Sequence, residues 1–302
     1  FSVFFGLESM GAYSSLLHVV DLCVKRGKDI LSLEPMDIQG EMLVPSTHNF
    51  EVDHIDFAYD QKKIIDDITL AIPQHTTVAF VGPSGGGKTT LCHLIARFWD
   101  VQKGSIRLDG KDVKAYAMEA LMKNFSFVFQ NVYLFHDTIA NNIRFGRPDA
   151  SMEEVIAAAK KACCHTFIMA LPDGYDTVID ENGASLSGGE RQRISIARAI
   201  MKDAPVIVLD EATANVDPES EKELMTAIEA LTKEKTILMI AHRLKTVRNA
   251  DRIFVVDHGK IVQQGTHEEL MRQEGIYQRF VVSRKQAIGW KITTDIESAA
   301  GV

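Results

Sequence analysis

Short apolar runs recur along the chain and are separated by polar or glycine-containing segments. The runs VAFV (78–81), FSFVF (125–129), VIVL (206–209), ILMIA (237–241) and IFVV (253–256) contain almost no polar residue. Strands that are apolar on both faces are typical of a parallel sheet that is covered on both sides. The pattern therefore predicts a buried, mostly parallel core sheet.

Two earlier segments, 50–59 and 66–72, alternate apolar and polar residues instead. This period of two predicts half-exposed strands of an antiparallel sheet. Between residues 131 and 187 the strand pattern gives way to a helical one. Ser151 and Glu154 there form the pattern of a capping box before the run VIAAAKKACC, which predicts the start of a helix.

The first thirty residues have a pattern of their own. Apolar residues fall near helical spacing (Leu7, Met10, Leu17, Val20 and Val24), and a basic cluster follows (Lys25, Arg26 and Lys28). The segment is too polar to span a bilayer alone. Residues 31–49, which contain Pro35, Gly40 and Pro45, are predicted to be a linker.

A glycine-rich segment follows the apolar run 78–81. It reads GPSGGGKT, matches the pattern G-x-x-x-x-G-K-[ST], and precedes a segment at 89–99 that is predicted to be helical. A strand, a glycine loop and a helix in this order form a P-loop, whose N–H groups and lysine surround the phosphates of a nucleotide. The last hydroxyl binds Mg²⁺. The predicted nucleotide-binding residues are Gly82, Pro83, Ser84, Gly85, Gly86, Gly87, Lys88, Thr89 and Thr90.

The pentapeptide LSGGE, residues 186–190, predicts a second phosphate-binding site. Its adjacent glycines, Gly188 and Gly189, let the backbone come close to a ligand. Ser187 and Glu190 flank them, and the run RQRISIARAIMK that follows has a helical pattern. A helix start offers unpaired N–H groups and the positive end of the helix dipole to an anion.

The P-loop, LSGGE and the segment VIVLDE at 206–211, in this order and spacing, resemble the nucleotide-binding domain of an ATP-binding cassette (ABC) transporter. The resemblance implies an α/β P-loop NTPase fold with a mostly parallel core sheet. To this core the family adds an N-terminal antiparallel β-subdomain and an inserted α-helical subdomain, here at about 131–190. The nucleotide-binding domain is expected at 50–287, followed by a C-terminal tail at 288–302.

The resemblance also implies a dimer, because in the family the LSGGE motif of one subunit closes over the ATP bound to the P-loop of the other. The second subunit is an identical chain or a related one. Residues 1–30 then correspond to the cytoplasmic end of the last transmembrane helix of an exporter-type transporter, whose ATPase domain lies on the cytoplasmic face. The alternative for 1–30 is an ordinary amphipathic helix that packs on the domain.

Catalytic residues are expected at the ends of the apolar runs. Asp210 ends a buried strand, where a carboxylate is costly unless a cation such as Mg²⁺ compensates it. The adjacent Glu211 resembles the family's general base, which polarises the attacking water. His242 resembles the histidine that contacts the γ-phosphate and holds Glu211 in place. Gln130 resembles a glutamine that binds Mg²⁺, so that Thr89, Gln130 and Asp210 form the expected metal site.

Three further positions are assigned from the resemblance. Tyr59 is expected to stack on adenine, although a tyrosine at a strand end is also commonly a core or edge residue. Asp217 has two compatible interpretations, as the N-cap of the helix that starts at Pro218 and as a residue of the loop that crosses the dimer interface. Ala214 stands where the family often has serine. Glu181 is the expected contact with the coupling helix of the partner's membrane domain.

Composition excludes little. The net charge of −8 over 302 residues argues against a nucleic-acid-binding surface. Residues 180–183 match the D-x-x-G of GTPases, but no N-K-x-D follows, so a guanine-specific pocket is not supported. The leading hypothesis is an ATP-hydrolysing motor of a dimeric ABC transporter. The alternatives are a soluble ABC ATPase that acts on DNA or ribosomes, and a regulatory subunit without turnover, against which Glu211 and His242 argue.

Overall fold

The apolar runs form strands of two sheets in the computed structural model, which describes residues 2–32, 36–180, 186–210, 218–240 and 244–283. The chain divides into two compact units, residues 1–38 and 39–302. The first unit is the single helix α1 (Ser2–Leu31) and the residues that follow it. Among the described residues, no helix has the length and apolar character needed to cross a membrane.

Part of the predicted linker belongs to the second unit. The backbone N–H of Glu41 donates to the carbonyl oxygen of Ala115 (2.9 Å), and the N–H of Ala117 donates to the carbonyl oxygen of Glu41 (2.8 Å). Ser46 and Thr47 both donate to the carboxylate of Asp109. Residues 41–47 are therefore fixed to the domain by hydrogen bonds.

The first sheet is antiparallel and has one exposed face. Its strands are β1 (Phe50–Tyr59), β2 (Lys62–Ile72), β4 (Lys103–Leu108) and β5 (Lys111–Asp112), in the order β2-β1-β4-β5. Buried and exposed residues alternate along much of β1 and β2. The predicted antiparallel β-subdomain is confirmed, and β4 and β5 extend it.

The second sheet is the core of the domain. Its strands are β3 (Thr77–Val81), β6 (Phe125–Val128), β7 (Val206–Asp210), β8 (Thr236–Ile240), β9 (Arg252–Asp257) and β10 (Lys260–Gly265), in the order β10-β9-β3-β8-β7-β6. All neighbours are parallel except β9 and β10. On β3, Val78 and Phe80 pack into one hydrophobic cluster, and Ala79 and Val81 pack into another. The core sheet is therefore buried on both faces, as its apolar runs predict.

Helices cover the core sheet and form the inserted subdomain. They are α2 (Lys88–Ile95), α3 (Met118–Met122), α4 (Ile139–Arg144), α5 (Met152–Lys161), α6 (His165–Ala170), α7 (Gly188–Lys202), α8 (Pro218–Thr232), α9 (Leu244–Arg248) and α10 (His267–Met271). Residues 276–283 are also helical. The predicted capping box is confirmed, because Ser151 Oγ accepts from the N–H of Glu154 at the start of α5 and the Glu154 carboxylate accepts from the N–H of Ser151.

The helix after the P-loop is shorter than predicted. The sequence pattern extends it to residue 99, but α2 ends at Ile95 and Arg97 has a left-handed backbone with φ of 58°. This turn directs the Arg97 side chain inward, where its Nη1 donates to the carbonyl oxygen of Tyr116 (3.2 Å) and its Nε to Asp100 (2.9 Å). The hydrogen bonds of the buried Arg97 guanidinium group stabilise this turn more than a further turn of helix would.

Candidate functional site

The P-loop joins the end of β3 to the start of α2 and is pressed against β9. Gly82, Gly85 and Gly87 all have positive φ (137°, 77° and 106°). A Cβ atom at Gly82 would lie 2.1 Å from the carbonyl oxygen of Val256, whereas one at Gly85 would have nothing within 4 Å. Glycine is therefore required at residue 82 by packing, and residue 85 lies on the open side of the loop.

The start of α2 is arranged to receive an anion. Its N-cap, Gly87, makes no side-chain cap, so the N–H groups of the first turn lack the capping partner that most helices have. The Lys88 side chain is buried, and its Nζ donates to the carbonyl oxygens of Gly82 (3.0 Å) and Pro83 (2.7 Å). An uncapped helix start with an ammonium group folded over the glycine loop fits a polyphosphate.

The sheet order brings the other predicted groups to the same edge. The P-loop follows β3, Asp210 ends β7, and β8 lies between the two strands. Gln130 follows β6, the neighbour of β7. Parallel strands separated by one intervening strand are about 10 Å apart, so these groups share one carboxyl edge of the sheet. Asp210 is also close enough to Cys92 of α2 to raise the pKa of that buried thiol, after the larger effect of burial.

The predicted metal ligands offer the appropriate chemistry. Thr89 and Gln130 are exposed and Asp210 is half-buried. A hydroxyl, an amide oxygen and a carboxylate are the oxygen ligands that Mg²⁺ prefers. Glu211, Asp217, His242 and Glu181 lie outside the described residues, so their assignments remain predictions.

Tyr59 lies at the outer end of an aromatic cluster. The residue is 37% exposed, and its ring meets Phe57 edge-on (4.9 Å between centroids, 88°) and Trp99 edge-on (5.2 Å, 85°). Sequence reasoning did not identify Trp99, whose only sequence signal is its place a few residues after α2. The two edge-on contacts restrict the ring while leaving part of it open to solvent, as a stacking surface for a base requires.

The LSGGE motif begins α7 with a capping box of its own. Ser187 Oγ accepts from the N–H of Glu190 (3.2 Å), and Glu190 Oε2 accepts from the N–H of Ser187 (2.7 Å). The predicted helix start is thus confirmed, with the N–H groups of Gly188 and Gly189 in its first turn. The P-loop belongs to the core sheet, whereas LSGGE starts the helix that carries the inserted subdomain.

Helix α7 also contacts the segment that leads to Gln130. The buried Gln192 donates from Nε2 to the carbonyl oxygen of Phe129 (3.3 Å). Farther along, Arg198 donates to the carbonyl oxygens of Asn142 (2.9 Å) and Tyr133 (3.1 Å). Burial lowers the pKa of the Arg198 guanidinium to about 10. This value is still well above 7, so the group is charged at neutral pH. One helix therefore links LSGGE to the polypeptide on both sides of the predicted metal ligand Gln130.

A cavity of about 710 Å³ borders the P-loop beside the turn between β9 and β10. Its lining consists of the P-loop residues Gly82, Pro83, Ser84, Gly85 and Gly86, with Asp257, His258, Ile276, Arg279, Phe280 and Ser283. The segment 276–283 was given no role by sequence reasoning. It adds the cation of Arg279 and the apolar surface of Ile276 and Phe280 to the space next to the loop.

Comparison with known proteins gives a consistent picture. Residues 65–214 match a family model described as ABC transporter. The chain is 47% identical over 271 residues to a protein of Legionella pneumophila named ATP-dependent lipid A-core flippase, an alignment that covers 89% of this chain and 44% of the relative. A protein of Desulfotalea psychrophila with the same name is 50% identical over 240 residues, covering 80% of this chain and 42% of the relative.

A solved structure titled as a bacterial Atm1-family ABC exporter with ATP bound is also similar. It superposes with a TM-score of 0.76 at 38% identity, covering 83% of this chain and 44% of the other. The chain thus spans less than half the length of the curated relatives and of the solved structure that it matches.

Proposed function

Because the chain belongs to the ABC transporter family, as an ABC ATPase domain, we propose that it hydrolyses ATP as the motor of a dimeric membrane transporter. The observation that carries this proposal is the P-loop, where the uncapped start of α2 and the buried Lys88 ammonium face one edge of the core sheet with Asp210. A soluble ABC ATPase acting on DNA or ribosomes is not favoured, since the similar proteins are named as flippases and an exporter.

In the proposed reaction, the P-loop N–H groups and Lys88 hold the β- and γ-phosphates of ATP, and Tyr59 stacks on adenine. Thr89, Gln130 and Asp210 would hold Mg²⁺, which neutralises charge on the phosphates. Glu211 accepts a proton from the attacking water, and the γ-phosphoryl group passes to that water to give ADP and phosphate.

The site is completed by a second subunit. Ser187 Oγ accepts from the N–H of Glu190 and keeps its own proton, which it can donate to a γ-phosphate oxygen of ATP on the other chain. Gly188 and Gly189 offer N–H groups beside it. His242 and Asp217 are assigned to the same interface. ATP would then bring two domains together, and hydrolysis would release them.

We place the contact with the membrane domain on an aromatic patch of the inserted subdomain. Tyr133, Phe135 and Phe145 are exposed, and the Phe135 ring packs on Phe145 with 4.6 Å between centroids. The Arg198 guanidinium lies over both phenyl rings. The patch follows Gln130 along the chain. A displacement of Gln130 at the metal site can therefore displace the patch through the few residues between them. In this proposal Glu181 contacts the coupling helix of the partner's membrane domain. Residues 1–30 are the cytoplasmic end of the last transmembrane helix, so that the domain lies on the cytoplasmic face.

Replacement of Glu211 by glutamine tests the proposed reaction. Glu211→Gln keeps the size of the side chain but removes the base, so ATP binding should persist while turnover falls about 100-fold or more. Glu229→Gln, at an exposed position of α8, is the matched control and should hydrolyse ATP at the parent rate. Hydrolysis at the parent rate by Glu211→Gln would exclude Glu211 from the mechanism.

A further inference from the structure

The Arg193 side chain is buried at a junction of three helices. It belongs to α7 and is 5% exposed, and a charge in that position is costly unless it is compensated. Its Nη1 lies 3.1 Å from Glu223 Oε2 of α8, and its Cζ lies 5.3 Å from the centre of the Phe167 ring of α6. Among the described residues, Nε and Nη1 have no aligned hydrogen-bond acceptor. Within the described part of the chain, the buried cation is thus held by one ion pair and one aromatic face.

The junction lies close to the starts of two helices of this chain, α7 and α8, which in the proposed function face the ATP site of the partner subunit. Arg193 lies six residues after Ser187, which at 1.5 Å per residue is about 9 Å along α7. Glu223 lies five residues after Pro218, the first residue of α8, or about 7.5 Å along that helix. Asp217 directly precedes Pro218 in the sequence. The ion pair therefore joins α7 and α8 shortly behind LSGGE and the first residue of α8.

We propose that Arg193 is a positioning residue that fixes the separation between LSGGE and the start of α8, so that both helix starts reach the ATP site of the partner subunit together. The inference rests on the proposed function, and it adds a residue that contacts neither nucleotide nor metal. Phe167 extends the same junction to α6, so the inserted subdomain moves with both helix starts. The planar, permanently charged guanidinium suits this role because it engages an oxygen and a ring at once.

Stability alone gives little reason for this arrangement. The Glu223 side chain is 57% exposed, so its partly screened attraction to Arg193 does little more than offset the cost of burying the Arg193 charge. Apolar residues of similar volume commonly replace buried ion pairs without loss of stability. Methionine at this position would keep a favourable contact with the Phe167 ring, and Glu223 would remain solvated. Arg193→Met is therefore expected to fold, which separates positioning from stability.

The test measures dimer formation in the presence of ATP and Mg²⁺, using the full chain that carries Glu211→Gln so that ATP is not consumed. Arg193→Met should bind ATP within twofold of the parent but form the ATP-dependent dimer about tenfold more weakly. Glu223→Gln should weaken the dimer in the same direction, and Arg193→Lys should restore part of the affinity. The double variant Arg193→Met/Glu223→Gln should be no worse than Arg193→Met alone.

Lys235→Met is the matched control. Lys235 pairs with Asp203 at the far end of α7 (2.7 Å), so its loss removes an ion pair of the same helix without touching the junction. It should dimerise like the parent. Parent-like dimerisation of Arg193→Met overturns the inference, as does a loss that Lys235→Met shares or that Arg193→Lys fails to relieve. Absence of an ATP-dependent dimer in the parent contradicts the proposed function instead.

Discussion

Alanine at Gly82 and at Gly85 should have very different effects on stability, although both glycines lie in the P-loop with positive φ. At Gly85 an added Cβ meets nothing within 4 Å. The left-handed backbone costs alanine about 1–2 kcal/mol, and the reduced freedom of the unfolded chain returns about 0.4–1 kcal/mol. Gly85→Ala should therefore lower the free energy of unfolding by only about 1 kcal/mol.

At Gly82 the Cβ would lie 2.1 Å from the carbonyl oxygen of Val256, in the backbone of β9. The strained φ costs about 1–3 kcal/mol, and moving a packed backbone adds about 1–3 kcal/mol. Gly82→Ala should therefore lower the free energy of unfolding by about 3–5 kcal/mol. A domain of this size loses about 2–4 °C of melting temperature per kcal/mol. Gly82→Ala should then melt about 10 °C below the parent, and Gly85→Ala about 3 °C below it.

Thermal unfolding without nucleotide, followed by circular dichroism, checks this pair. Nucleotide is left out because both glycines belong to the phosphate site and altered ATP binding would change the melting temperature. Melting temperatures of Gly82→Ala and Gly85→Ala that agree within 2 °C would refute the close approach of the P-loop to β9, and with it the packing argument for the loop.

Three further predictions concern single side chains. Tyr59→Ala should weaken ATP binding about tenfold through loss of base stacking, in equilibrium titrations, and unchanged affinity would refute the stacking role. Burial lowers the pKa of His93, so the folded state resists protonation and the free energy of unfolding should fall as the pH drops below about 6.5. This dependence on pH should be weaker in His93→Gln, and urea titrations at several pH values that give both proteins the same dependence would contradict the prediction. Burial raises the pKa of Cys164 to about 12 and also raises that of Cys92. A maleimide should therefore label the exposed Cys23 in the native protein, and Cys92 and Cys164 only after unfolding, which peptide mass analysis can show.

The parts of the fold that the sequence predicts best are those in which one local pattern decides the structure. The apolar runs correspond to five strands of the core sheet because a strand buried on both faces admits few polar residues. The strands β4, β5 and β10 carry mixed patterns that do not identify them as strands. β5 and β10 pair with the strands that directly precede them, β4 and β9, whereas the pairing of β4 with β1 is a tertiary effect. The end of α2 was also missed, because it depends on the distant carbonyl group that accepts from Arg97.

The candidate site divides in the same way. The P-loop and the start of α7 are continuous segments whose glycines and capping residues are visible in the sequence. Trp99 and Arg193 belong to no such pattern, and their relation to the site emerges only from the contacts with Tyr59 and Glu223. The pairing of LSGGE with a P-loop on another molecule was suggested by the family resemblance and depends on a second chain.

In the proposed function, two copies of the domain, or this domain and a related one, make each complete ATP site. The most direct measurement is the ATPase activity per chain as a function of chain concentration, with the mass of the protein followed by sedimentation under the same conditions. We expect that activity per chain rises with concentration as ATP-dependent dimers form. Activity per chain that stays constant down to concentrations where sedimentation shows only monomers would contradict it.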